Sequence, residues 1–348
     1  MKTIFAALLV AGFGFANSAA AQPIRPANPN ANAPARAILE YLAGLEQRAD
    51  KRMLSGQFMA YGDNATPRLA AQIHQQSGHW PAVIGVDFAD YPRHDVTFAV
   101  PIKTAIDYWK QGGLANISAH LFNPANPDPA KAQDGGLRDK GVDLDALLTP
   151  GTASNETWMA LLDRIAAALQ ELEDAGVVAM WRPFHEMNGN WFWWGGHEPE
   201  KFVRLWRHMF DYFTKTKELD NLLWVYGPNH GNKTAAYYPG DSYADIVGLD
   251  AYTDFVDPEH IKGYDEIAKI KKPFGFTEFG PHGASNPPGN YDYRRFVEGV
   301  QKHFPRTVFF MSWNDGWSLG RNHRVKELLE HPWTVNREDL PNGLVRER

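Results

Sequence analysis

Downstream of residue 36 the chain alternates between two hydrophobic periods. Short runs rich in β-branched and aromatic residues fall at 53–58, 82–87, 115–120, 177–184, 222–226, 246–250, 274–278 and 308–313. Apolar runs of this length predict strands buried on both faces. Stretches with a 3.6-residue period lie between them. Over 156–173, Trp158, Leu161, Leu162, Ile165, Leu169 and Leu172 share one helical face, Ser154 or Asn155 can cap the start, and Gly176 stands just past the end. Over 199–216, Phe202, Leu205, Trp206, Met209 and Phe213 do the same, and weaker helical patterns occupy 67–76, 101–110, 261–270 and 293–303. Eight strands alternating with helices predict an α/β fold whose parallel sheet is covered by helices. The count of eight favours a closed (β/α)8 TIM barrel, as a single domain, over an open doubly wound sheet. The chain after the leader holds neither G-x-G-x-x-G nor G-x-x-x-x-G-K-[ST], the fingerprints a nucleotide-binding open sheet would carry.

The ends read differently. Lys2, the apolar run 4–15 and Ala19-Ala20-Ala21 have the three-part layout of a secretory signal peptide, so 1–21 is expected to be removed on export. Residues 22–36 are Pro/Asn/Ala-rich and aperiodic and read as a flexible leader. That leaves 37–340 as the barrel domain. Its loop 122–155, rich in Pro, Asn, Asp and Gly, predicts the rim of a site.

Composition narrows the classes of function. There are 35 basic against 41 acidic residues, a net charge of −6, so the basic footprint of a nucleic-acid binder is missing and no such partner is expected. With no Cys there is no disulfide framework, no Cys-ligated zinc and no thiol nucleophile. At 348 residues and 44% hydrophobic, the chain can build a core that needs no staples. The expectation is a secreted (periplasmic or extracellular) monomer without a membrane anchor. The 12 Trp are the unusual item.

The site of such a barrel forms at the C-terminal ends of its strands. There the sequence places Asp87, His120, His185-Glu186, Asp250 with Tyr252, Glu278 and Trp313-Asn314. Glu186 and Glu278 end apolar runs three strands apart in an eightfold ring, so they can face each other across the mouth. Such a pair suits cleavage of a glycosidic bond: one carboxyl protonates the leaving oxygen, while the other attacks or assists water. A structural ion-pair role is the plainer alternative for either. Arg182, four residues before Glu186, would share its side of the strand and pair near Glu278, keeping that group ionised. An Arg satisfied by backbone carbonyls or by another acid is the alternative. Trp191-Phe192-Trp193-Trp194 follow directly, and four rings in a row are not expected to enter one core. With Trp313, Trp317, Tyr252 and Tyr226 near strand ends, they offer planes for the apolar faces of pyranose rings. For any single one packing is the plainer reading, while the set is expected to supply at least two sugar platforms.

Rival chemistries lack their motifs. H-E-x-x-H is absent, because Gly189 and Lys201 stand where the second His would be, and G-x-S-x-G is absent too. No His cluster has metal spacing, and two carboxyls need no metal or organic cofactor.

The segment Arg182-Pro183-Phe184-His185-Glu186-Met187-Asn188-Gly189, followed by Trp191-Phe192-Trp193-Trp194-Gly195, closely resembles glycoside hydrolase family 26. Phe276-Thr277-Glu278-Phe279-Gly280 resembles its second catalytic segment, and Val247-Gly248-Leu249-Asp250-Ala251-Tyr252 resembles the segment after strand six. The likeness runs from about residue 40 to 335. It implies a (β/α)8 barrel and a retaining β-1,4-mannanase acting on mannan, glucomannan or galactomannan. It further implies Glu186 as general acid/base, Glu278 as nucleophile and His185 as support beside the acid. His120 and Trp191 would bind sugar, Asp250 and Tyr252 would orient the nucleophile and the reacting ring, and Trp313 would be the floor. Hydrolysis of β-1,3-xylan or mixed-linkage β-glucan, and a non-catalytic carbohydrate-binding barrel, stand as alternatives. The family's mannanases often carry Arg after that Trp, whereas this chain has Asn314; the outer non-reducing subsite, and with it internal against chain-end cleavage, is open at this point.

Overall fold

The computed structural model describes residues 24–89, 98–126, 128, 132–281 and 289–345; the signal segment 1–21 lies outside them. Eight parallel strands form the barrel: β1 Gly56–Tyr61, β2 Val83–Asp87, β3 Leu114–Ser118, β4 Ala179–Arg182, β5 Leu222–Tyr226, β6 Ile246–Tyr252, β7 Phe274–Gly280 and β8 Thr307–Ser312. Each pairs with the next, and β8 also pairs with β1, so the ring is closed. Met53–Leu54 and Thr334–Val335 add a two-residue pairing at the N-terminal end. The predicted strand 53–58 is thus divided at Ser55. That residue is buried and bonds through its hydroxyl to Asn336 Oδ1 and Val335 O, which turns the chain before β1 begins.

Helices cover the barrel much as the periodicity predicts, with shifted ends. Ala153–Asp174 buries Trp158, Leu161, Leu162, Ile165, Leu169 and Leu172. Its cap is Thr152, not Ser154 or Asn155, and the Thr152 hydroxyl accepts the Asn155 N–H at 3.1 Å. Pro199–Asp211 buries Phe202, Leu205, Trp206 and Met209, and then loosens into a π turn over Tyr212–Thr216. The pattern at 261–270 yields only one turn, Tyr264–Ile267, which starts after a left-handed Gly263.

The flexible leader expected at 22–36 is corrected over its described part. Ala27 N–H donates to Asp245 Oδ1 at 2.6 Å, Asn28 Nδ2 to Asp220 Oδ1 at 2.9 Å, and Asn32 N–H to Asp220 O at 2.7 Å. Asn32 then caps helix Ala33–Leu45, whose Ile38, Leu39, Leu42 and Leu45 are buried. The Asn-rich stretch has no apolar period because its order comes from side-chain bonds to the main chain and a cap.

Candidate active site

β4 stops at Arg182, earlier than the predicted 184, so Glu186 does not reach the cleft along a strand. Phe184 and Glu186 both adopt left-handed backbone, with φ of 52° and 56°, a conformation costing about 1–3 kcal/mol for a residue with a Cβ. The fold holds this turn from both sides. Glu186 N–H donates to Gly227 O at 2.8 Å, and Gly189 N–H to Glu186 O at 2.9 Å. The Phe184 ring sits among Trp158, Trp193, Trp194, Phe202 and Trp206. Trp194 Nε1 also donates to His185 O at 2.8 Å. The aromatic run therefore divides. Trp193 and Trp194 are core and clamp the turn, while Trp191 and Phe192 line the cleft, so the four rings do not all enter one core. Tyr226 is also buried, donating its hydroxyl to Thr234 O at 2.7 Å.

The cleft at the C-terminal ends of the strands has a volume of about 550 Å³. His120, His185, Glu186, Trp191, Tyr252, Glu278 and Trp313 all line it, with Trp317. A hollow of about 630 Å³ elsewhere is lined by Asp292, Arg294, Arg324 and Glu327, charges that pair with one another.

Arg182 is buried behind Glu278 and is bonded to it directly, while its other terminal nitrogen donates to Asp250 Oδ2 at 2.9 Å. Thr277 Oγ1 donates to Asp250 Oδ1 at 2.6 Å, and Tyr252 OH to Glu278 Oε2 at 2.6 Å. Burial, then the Glu278 charge, raise the Tyr252 phenol well above its ordinary value, so it keeps the proton it donates. Among the described residues no salt bridge reaches Glu186. Burial and the nearby Glu278 charge push its carboxyl up to about 8, opposed by Trp191 Nε1, which donates to Glu186 Oε2 at 2.6 Å. Gly189 makes that bond possible, because a Cβ there would fall 2.3 Å from the Trp191 ring. One oxygen each from Glu186, Asp250 and Glu278 lie within 4.8 Å of one another.

A histidine relay supports the same wall. His120 Nδ1 meets Asp87 Oδ2 at 2.8 Å, and His120 Nε2 meets His185 Nε2 at 3.1 Å. Burial alone would raise Asp87, but the charge and hydrogen bond of His120 outweigh it and hold the carboxyl low. Burial, then the Arg182 and His120 charges, keep His185 neutral. His120 Nδ1–H donates to Asp87, and the contact between the two Nε2 atoms carries one proton between the rings. Trp313 is set from below, its ring stacked on Phe58 at 3.7 Å and its carbonyl accepting from Gln57 Nε2 at 2.9 Å.

Tyr61, Leu137, Arg138, Asn229 and His230 also line the cleft without having been singled out from the sequence. Tyr61 lies three residues past the predicted end of its strand. Leu137 and Arg138 sit in the loop expected to form the rim.

Two close carboxylates, one held protonated and the other paired with a buried Arg at an aromatic-walled barrel mouth, are the working part of a glycoside hydrolase. Within that class, the model of Glycosyl hydrolase family 26 matches residues 27–339, and the chain belongs to this family. It is 37% identical over 347 residues to a mannan endo-1,4-β-mannosidase of Bacillus subtilis, covering 95% of this chain and 93% of that protein. A solved Bacillus subtilis mannanase superposes with a TM-score of 0.85 at 35% identity, covering 92% of this chain and 98% of that one. A family 26 protein of Muricauda sp. gives 0.77 at 29% identity, covering 90% and 99%.

Proposed function

We propose that the protein is a retaining endo-β-1,4-mannanase, cleaving mannan, glucomannan or galactomannan within the chain. The observation that carries this reading is the approach of the Glu186 and Glu278 oxygens to within 4.8 Å. Retaining enzymes hold their carboxyls about 5–5.5 Å apart, and inverting ones about 6.5–9.5 Å to admit water. Glu278, held by Arg182 and Tyr252, attacks the anomeric carbon while Glu186 gives its proton to the departing oxygen. Glu186, now ionised, takes a proton from the water that resolves the glycosyl-enzyme. Asp250 positions Arg182, and His185 with His120 forms the polar wall. Trp191 and Trp313 offer aromatic planes to the sugar rings. The mannan substrate and internal cleavage are supported by the named activity of the Bacillus subtilis relative. The signal-like segment 1–21 supports export, and the protein works as a monomer without nucleic acid or a membrane anchor.

The test is reducing-sugar release from β-1,4-mannan, with mannopentaose products followed over time. Wild type releases internal fragments, Glu278→Ala releases none, and proton NMR finds the β-anomer formed first. Equal inactivity of wild type and variant on mannan, or the α-anomer first, overturns the reading.

A further inference from the structure

Among the described residues Phe255 is the one large hydrophobic side chain left open to solvent, 48% exposed. A single exposed ring is ordinary on a protein surface, but this one is held in place. It stacks on His260 with centroids 4.4 Å apart and planes 26° from parallel. His260 is itself fixed: its Nδ1 lies 2.8 Å from Asp257 Oδ1, which also accepts the main-chain N–H groups of Glu259 and His260. The Phe255 N–H donates to Thr253 Oγ1 at 3.1 Å. Val256, next in the chain, is buried against Gly299, where a Cβ would come within 2.5 Å of Val256 O. A ring ordered in advance loses little entropy when it binds.

The place of this loop matters as much as its order. It leaves the cleft at Tyr252, three residues before Phe255, a chain reach of about 11 Å at most. It returns beside the loop that follows the adjacent strand β5, where Gly231 N–H donates to Lys262 O at 2.9 Å. His230, next to Gly231, lines the cleft, so the loop that carries Phe255 is tied to the cleft wall at both of its ends. The Arg295 guanidinium carbon lies over the Phe255 ring, 5.6 Å from its centroid, and brings planar N–H donors to it. A half-exposed aromatic ring with such donors beside it matches the two-sided chemistry of a pyranose, with its C–H face and hydroxyl rim.

We propose that Phe255, backed by His260 and flanked by Arg295, is a sugar-stacking platform outside the cleft that holds a further unit of a long, neutral polysaccharide substrate. The proposal rests on the polysaccharide-hydrolase reading above. It is tested with Phe255→Ala, Phe255→Trp and His260→Ala, each assayed on glucomannan and on a short aryl mannobioside that ends within the cleft. Polymer retention is measured by affinity electrophoresis in a Glu278→Ala background. Phe255→Ala is expected to lower kcat/KM on the polymer roughly three- to tenfold, the range of an aromatic stacking contact, and to weaken retention. Hydrolysis of the short substrate stays within about twofold of wild type. Phe255→Trp keeps polymer activity, and His260→Ala shows part of the loss. Unchanged polymer kcat/KM and retention in Phe255→Ala, or an equal loss on both substrates, overturns the platform. Should wild type hydrolyse a different β-linked polymer, the mannanase reading falls, and the same comparison on that polymer and its short aryl glycoside still decides Phe255.

Discussion

The Trp191 indole donates to Glu186 Oε2 over 2.6 Å, so a residue lining the sugar cleft also sets the acidity of the group that protonates the leaving oxygen. The bond favours the ionised carboxylate, while burial and the Glu278 charge favour the protonated acid and prevail. The protonated form is the active one, so kcat/KM should fall as pH rises through about 8. Trp191→Phe removes a bond to the charged form, raises the Glu186 pKa and moves that alkaline limb to higher pH. Profiles of kcat/KM against pH for the two proteins check it; a limb that moves down or stays put contradicts the assignment.

Arg182 serves two carboxylates at once. Arg182→Met leaves Asp250 and Glu278 buried without their cation, a change that typically costs about 3–5 kcal/mol. A lower urea midpoint with loss of activity is expected. Arg182→Lys restores charge but not a fork that reaches both partners, so it should recover stability only in part and activity less.

Tyr252→Phe separates orientation from folding. It removes one donor to Glu278 Oε2, and a hydrogen bond to a charged group contributes about 1.5–3 kcal/mol. If that bond strengthens as the nucleophile reacts, kcat drops about 10- to 150-fold with little change in KM. An effect confined to KM would assign the hydroxyl to the sugar instead.

Asp245 ties residue 27 to the barrel. It accepts the Ala27 N–H at 2.6 Å and the Trp224 N–H at 2.7 Å. Asp245→Ala leaves two donors without their acceptor, each worth about 1–3 kcal/mol if it stays buried. A reduced melting temperature is expected, together with faster proteolysis at the 24–32 segment, and with kcat on short substrates retained. Burial raises the Asp245 carboxyl to about 6. Its folded state thus favours the proton, and this contribution to stability is full below the unfolded value near 3.8 and fades as pH rises through about 6.

The barrel and its two central carboxylates were legible because they follow from period and position: apolar runs mark strands, and polar residues at their ends mark the mouth. The route by which Glu186 arrives was not legible. Their spacing of four predicts Arg182 and Glu186 on one strand face, whereas the chain leaves the strand at Arg182 and turns through two left-handed residues. No one-dimensional pattern announces a positive φ at Phe or Glu, since neither favours it locally and the surrounding packing imposes it. How the aromatic run divides was hidden for a related reason. Nothing in the local pattern says which rings go inward; the turn folds Trp193 and Trp194 back onto Phe184. Tyr61 and Arg138 were hidden by boundaries, one past a strand end and one inside a long loop.

Trp158, Phe202 and Trp206 belong to helices Ala153–Asp174 and Pro199–Asp211 on the outer layer of the barrel, yet they grip the Phe184 ring. The proton donor is therefore aimed by the seam between two helices that contribute nothing to the cleft lining. Trimming a side chain in that seam would leave the aromatic walls and Glu278 where they are and swing the acid out of register. Its kinetic signature would be slow bond cleavage with undiminished hold on the polymer, a defect of aim arising in the shell of the molecule.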